Sequence, residues 1–362
     1  MENRMYKVTI KPHWEIGQTS DAVLDTTGLL ILLTSIRETG SISNAAKATK
    51  QSYRHVWGLL RAAEELFGHP LVLTERGRGS VLTPLAEKLI WADRRIAARL
   101  SPTLDSLASE LEGELSKAVA GSSKTIRLNA SHGFAVAALL SQLNAIQLPI
   151  DLRYRSSTDA VSALSRGECD LAGFHVPFGE FEDAIISLYA RWLNKKTHCL
   201  IHLAVRDQGL VVAPGNPKNI HTLTDLANNG VLFVNRQTGS GTRLLLEMLL
   251  AKAGVAQQAI NGFESTEFTH SAVAAFIASG MADVGFGVQT AAARFGLEFI
   301  PLVRERYFFA LPIAAMQDPL IQQIITTIQT DTFREVVNQL AGYDGSATGD
   351  ILSLPDAFAY LR

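Results

Sequence analysis

Cysteine is almost missing: Cys169 and Cys199 are the two thiols in 362 residues. Two thiols cannot build a disulfide framework, nor a metal cage by themselves. No apolar run approaches the ~20 residues that span a bilayer, and the opening Met1-Glu2-Asn3-Arg4 has no apolar signal-peptide core. A cytoplasmic protein without a membrane segment is expected. A charge excess is missing too. The 33 Lys and Arg against 35 Asp and Glu leave a net charge of −2. That excludes a uniformly basic nucleic-acid coat, though not a local basic surface. Catalytic signatures are absent: no Gly-x-Ser-x-Gly elbow, no His-Glu-x-x-His, no dinucleotide Gly-x-Gly-x-x-Gly with a following acid, no P-loop. No His-x3-His or clustered carboxylate spacing supports a metal. The expectation is neither an enzyme nor a metalloprotein. What is present is 47% hydrophobic and 19% charged residues, a composition for packed domains, and a length that suits two or three of them.

The organisation changes near Gly121-Ser122-Ser123-Lys124, a short small-residue linker. Before it, residues 4–12 alternate, with Tyr6, Val8 and Ile10 on one side, and predict a half-buried strand ended by Pro12. Residues 28–110 then read as mostly helical. Leu29, Leu30, Leu32, Leu33 and Ile36 form a stripe ending at Gly40. A short helix follows at Ser41–Thr49, where Ala45 and Ala46 permit close helix approach. After a turn at Lys50-Gln51, a longer helix opens with Ser52 as N-cap and closes at Gly68. Short helix, tight turn and longer helix is the helix-turn-helix pattern. The second helix displays Gln51, Ser52, Tyr53, Arg54, His55 and Arg61. Arg can donate twice to guanine and Gln can pair with adenine in the major groove. Ser41 and Ser43 join this set on the preceding helix. Two strands around Arg76-Gly77-Arg78-Gly79 put two Arg at a turn tip, suited to phosphate or the minor groove. Between Asn44 and Ser80, six basic and three acidic residues give a local charge of +3. The partner implied is double-stranded operator DNA.

Thr83-Pro84 starts a connecting helix. Leu85, Leu89, Ala92 and Ile96, then Leu104, Leu107, Leu111 and Leu115, recur every three or four residues. The stripe either packs on its own winged head or forms a dimer seam. Pro102 is expected to start a new helix. From Thr125 onward short apolar strands alternate with helices, which predicts a parallel α/β sheet. Hydroxyl-rich turns follow its strands: Asn129–Gly133 with Ser131 and His132, Ser156–Asp159 with Ser157 and Thr158, Asn235–Arg243 with Gly239, Ser240, Gly241 and Thr242, and Thr269-His270-Ser271. Helix N-termini just past strand ends favour an anion. Arg236 and Arg243 either brace their loop or touch the anion. His175 is placed at the cleft edge, and Tyr307 either lines the cleft or packs in the core; the histidines read as neutral hydrogen-bonding groups.

These residues carry a resemblance. Gly40-Ser41-Ile42-Ser43-Asn44-Ala45-Ala46, with Ser52–Trp57, Lys11-Pro12 and Gly77–Pro84, resembles the winged helix-turn-helix of molybdate-responsive regulators, and shares elements with LysR-type regulators. Asn235–Arg243, His270–Ala275 and Gly280–Gly287 resemble the periplasmic-binding-protein-like domain fused to such heads. The resemblance implies a mostly-α winged head over residues 1–83, a dimerising linker helix over 84–120, and a two-lobed α/β domain over 121–362. Its lobes would be about 125–205 with 304–362, and about 206–303. It implies a regulator, homodimeric or homotetrameric, that senses molybdate, tungstate or a small carboxylate such as formate. A solute-binding protein and an effector-blind regulator are the competing readings.

Overall fold

The computed structural model describes residues 6–17, 23–75, 79–120 and 124–361. The chain forms two compact units: one spans Lys11–Leu100, the other takes the described residues before Lys11 and those from Ser101 onward.

In the first unit, β1 (Glu15–Gly17) pairs antiparallel with β2 (Val23–Asp25). The strand predicted over residues 4–12 does not form in its described part; residues 6–14 are irregular. Alternation makes a strand only where an edge offers a ladder, and the Val8 N–H instead donates to Glu112 Oε1 at 2.7 Å. Three helices follow: α1 (Thr26–Thr39), α2 (Ile42–Ala48) and α3 (Tyr53–Phe67). Asp25, Ser41 and Ser52 cap their N-termini, and Gly40 and Gly68 close α1 and α3 in the left-handed region. Between α2 and α3, Lys50 takes φ 56° and the Gln51 N–H returns to Ala46 O at 2.9 Å. The wing is β3 (Val72–Glu75) against β4 (Gly79–Leu82). A Cβ on Gly79 would sit 2.5 Å from Gly40 O, so only glycine lets the Ser80 N–H reach that carbonyl.

The connector is one helix, α4 (Pro84–Ala120), with Pro102 inside it. The break expected at Pro102 does not occur. An internal proline forfeits one helical bond and costs about 3 kcal/mol, yet the helix is held on both sides. Leu85, Ala86, Leu89 and Ile90 pack into the head's core with Leu29, Leu33 and Val56. Beyond the proline, Ser109 Oγ donates to Ile150 O at 3.1 Å and accepts from the Leu152 N–H at 2.9 Å.

The second unit is a sheet flanked by helices. In chain order it runs β5 (Ile126–Ala130), α5 (Phe134–Ala145), β6 (Ile150–Tyr154), α6 (Ser157–Ser165), β7 (Leu171–Pro177), α7 (Glu182–Ala190) and β8 (His198–Val212). Then come β9 (Phe233–Arg236), α8 (Gly241–Lys252), β10 (Thr266–Glu267), α9 (His270–Ala278), β11 (Val284–Val288), α10 (Gln289–Arg294) and β12 (Glu298–Pro312). Helices α11 (Pro319–Gln329) and α12 (Asp331–Asn338) precede β13 (Tyr343–Asp344) and β14 (Ile351–Ser353). The strand order is β10-β9-β11-β8-β12-β7-β5-β6, with β13 and β14 on β8. Within each lobe the pairings β5–β6, β5–β7, β9–β10 and β9–β11 are parallel, as expected. The sheet as a whole is mixed, because β8 and β12 run antiparallel to each other and to β11 and β7. They carry the chain out to the second lobe and back, so they must oppose. One lobe buries Ile126, Leu139, Phe309 and Ile324, the other Leu210, Phe233, Leu246 and Phe286.

Candidate functional site: a reading helix and a buried arginine cluster

On α3, Val56, Leu60 and Ala63 face the core. The other face leaves Ser52, Tyr53, Arg54, His55 and Arg61 exposed. The caps consume some predicted contacts: Ser41 Oγ accepts from the Asn44 N–H at 3.4 Å, and Ser52 Oγ from the His55 N–H at 3.2 Å. Ser43, Lys47 and Lys50 are exposed and Gln51 is half-buried. Tyr53 and Trp57 form an exposed edge-to-face pair, 6.1 Å between centroids. Arg76 and Arg78 lie outside the described residues.

The second site lies where β8 and β12 cross between the lobes. Arg206 and Glu305 are register partners there, both buried, with Arg206 Nε donating to Glu305 Oε1 at 2.5 Å. From the first lobe, His175 Nδ1 sits 3.2 Å from Ser131 Oγ and 3.5 Å from Ser157 Oγ. Its Nε2 is 3.8 Å from Glu305 Oε1, too long for a hydrogen bond. The Tyr307 ring meets His175 edge-on at 4.4 Å. Gly173 makes room for it, since a Cβ there would fall 1.9 Å from Tyr307 Oη. From the second lobe come Arg236, at the end of β9, and His270, opening α9; both are buried. Arg236 Nη2 donates to Phe268 O at 2.9 Å, and buried Glu267 is its register partner on β10.

The electrostatics follow from burial. Desolvation and then the Arg206 charge lower the Arg236 pKa to about 9, with Glu305 working the other way. Burial also opposes the Arg206 charge, but Glu305 and Tyr343 outweigh it and hold its pKa above the ordinary value. Burial, then Arg236 and Arg206, lower His132 to about 4. Burial and the same two arginines put His175 and His270 well below the usual histidine range. The histidines are therefore neutral near pH 7. Burial keeps the Tyr307 hydroxyl protonated. Arg236 Nε, His175 Nε2, His270 Nδ1 and both amide atoms of Gln208 are buried without a hydrogen-bond partner among the described residues. Buried polar atoms are as a rule hydrogen-bonded, and these five sit on β7, β8, β9 and α9. Among the described residues, no three His, Cys, Asp or Glu are placed to hold a metal.

Residues 28–87 match the family described as bacterial regulatory helix-turn-helix protein, lysR family, and residues 140–329 match the PBP superfamily domain. The chain belongs to the PBP superfamily, with a LysR-type reading head. The uncharacterised protein YvgK of Bacillus subtilis is 31% identical over 209 residues, 58% of this chain and 67% of that protein. The molybdenum-pterin-binding protein MopB of Rhodobacter capsulatus is 30% identical over 148 residues, 39% of this chain and 54% of its own. A solved mutant of Corynebacterium glutamicum OxyR is 16% identical, with a TM-score of 0.42, covering 87% of this chain and 94% of that one.

The chain thus joins a LysR-type helix-turn-helix to a PBP-like domain. Within its PBP-like domain the structure gathers Ser131, His132, Ser157, His175, His270 and Tyr307 from the predicted set. Ser240 and Thr269 act as N-caps, accepting from the Arg243 and Ala272 N–H groups. Gly239 and Gly241 are exposed, Thr242 is buried and Thr158 half-buried. Arg243 is a brace, bound to Glu247 at 2.9 Å and Glu264 at 3.0 Å, while Arg236 enters the cluster. Sequence reasoning passed over Arg206, Gln208 and Glu305. The signal was available: Arg206, Asp207 and Gln208 form a polar stretch inside the largely apolar strand His198–Val212.

Proposed function

We propose that this regulator reads operator DNA through α3 and the wing, and that a small anion held between its two lobes sets the strength of that reading. The observation that carries the proposal is Arg236. Its guanidinium is buried beside that of Arg206, and its Nε has no hydrogen-bond partner among the described residues. Neutral histidines stand near it, while Glu305 is engaged by Arg206 and Glu267 is its neighbour on β10. An anion at that point would answer both the repulsion and the empty donor. The effector class is molybdate, tungstate or a small carboxylate such as formate. MopB, molybdenum-pterin-binding by name, supports placing molybdate first. We also propose a homodimer, because Leu100, Leu107, Leu111 and Leu115 of α4 are exposed. Two heads suit a pseudo-palindromic operator with half-sites about one turn apart.

Calorimetric titration of the full chain with molybdate, tungstate, formate and acetate tests the effector. At least one should bind, and Arg236→Met should weaken that binding by at least tenfold while the domain stays folded. Silence across the panel, or an unaltered Arg236→Met, would overturn the anion reading.

A further inference from the structure

His132 stands at the edge of the arginine cluster and also touches the connector helix. Its Nε2 lies 3.4 Å from Ser101 Oγ on α4. The charges of Arg236 and Arg206 act on the imidazole, and a Cβ on the neighbouring Gly133 would come within 3.5 Å of Arg206 Nη1. On its other side the ring packs edge-on against Tyr154 at 5.0 Å. The Tyr154 N–H donates to Ser106 Oγ at 3.2 Å. With Ser109 bridging Ile150 and Leu152, the helix beyond Pro102 is thus pinned to edge strand β6.

Ser101 immediately precedes Pro102, where α4 lacks an N–H to give to its preceding turn. That turn is the point at which this helix bends most easily. The His132–Ser101 contact falls on it, while the stretch beyond is held by several bonds. A neutral imidazole has one donor and one acceptor nitrogen, so an anion beside it selects the tautomer and thereby what remains for Ser101.

We infer that His132 is the positioning residue through which the anion, taken as the effector under the reading above, sets the bend of α4 at Ser101-Pro102. Anion in the cluster draws the imidazole N–H toward itself, the Ser101 bond is remade or lost, and the helix turn at Pro102 changes its curvature. The segment between Leu85 and Ser101 carries that change to the reading head through the chain itself. The ligand's influence then equals its differential affinity for the two helix states.

The test uses full-length wild type, Ser101→Ala and Ser101→Thr, each titrated with the anion that binds best and with operator DNA. Ser101→Ala should bind anion within twofold of wild type. The anion-induced change in operator affinity should fall at least fivefold toward none, and Ser101→Thr should restore it. Hydrogen exchange of the amides around residues 98–104 should respond to anion in wild type and not in Ser101→Ala. Full coupling and a full exchange response in Ser101→Ala would overturn the relay while leaving the effector site standing. No anion binding by the wild type would overturn both. Loss of anion binding in Ser101→Ala would make Ser101 part of the site rather than of the relay.

Discussion

At the scale of single residues, the proposed function rests on groups whose surroundings oppose their chemistry. Arg236 is a charge buried beside a like charge, and a carboxylate serves Arg206 rather than its Nε. Such an arrangement costs stability until a counter-charge arrives. On α3 the relation is inverted. Arg54 is exposed, so its value lies wholly in what it meets outside. If Arg54 reads a base, Arg54→Ala should weaken specific operator binding by about 1–3 kcal/mol and relax preference at one base position. Competition titration at fixed salt measures both. A uniform loss across sequences would assign it to phosphate, and unchanged affinity would remove it from the reading set.

Among elements, α4 runs through both compact units. Its face bearing Ser106 and Ser109 satisfies backbone groups of edge strand β6, which also blocks that edge against stray pairing. Roughly opposite on the helix, Leu100, Leu107 and Leu111 lie exposed. The apolar rhythm therefore divides: Leu85 and Leu89 join the head's own core, while Leu100, Leu107 and Leu111 form the exposed stripe proposed above as the dimer seam. Leu107→Glu combined with Leu111→Glu should leave the unit folded and shift the protein to monomer in sedimentation equilibrium. An unchanged association state would exclude this stripe as the seam. Strands β8 and β12 are the other decisive elements, for their length places Arg206, Gln208, Glu305 and Tyr307 at the crossing.

For the molecule as a whole, the buried histidines make stability a function of pH. His132 is lowered to about 4 by burial and the two arginines, and His202 to about 4 by burial and Arg306. His175 and His270 are lowered as well. Unfolded, each takes a proton near pH 6.5, while folded it does not until far lower. Stability is therefore complete above about pH 6.5 and falls as pH drops toward 4, by about 1.4 kcal/mol per pH unit for each such histidine. Thermal unfolding between pH 7 and 4.5 checks this, and His270→Gln should flatten the decline. A midpoint that stays level over that range would contradict the burial of neutral imidazoles.

The sequence by itself determined the local features. The cap at Ser52, the closing glycines Gly40 and Gly68, and the apolar face of α3 are short-range matters of side-chain hydrogen bonding and period, and they hold in the structure, whereas Ser41, Ser240 and Thr269, read as contacts, are caps as well. They sufficed for a helix-turn-helix followed by an α/β fold, and for hydroxyls and histidines past the strand ends. Alternation at residues 4–12 and the proline at 102 misled, because a ladder needs an available edge and a kinked helix can be held by distant bonds. Only the tertiary structure decided that Arg206 meets Glu305 across 99 positions of chain, that Arg236 comes to rest beside them while Arg243 does not, and that His132 touches Ser101. The physical reason is that charge burial and desolvation depend on what the whole fold removes from water, and no local pattern records that.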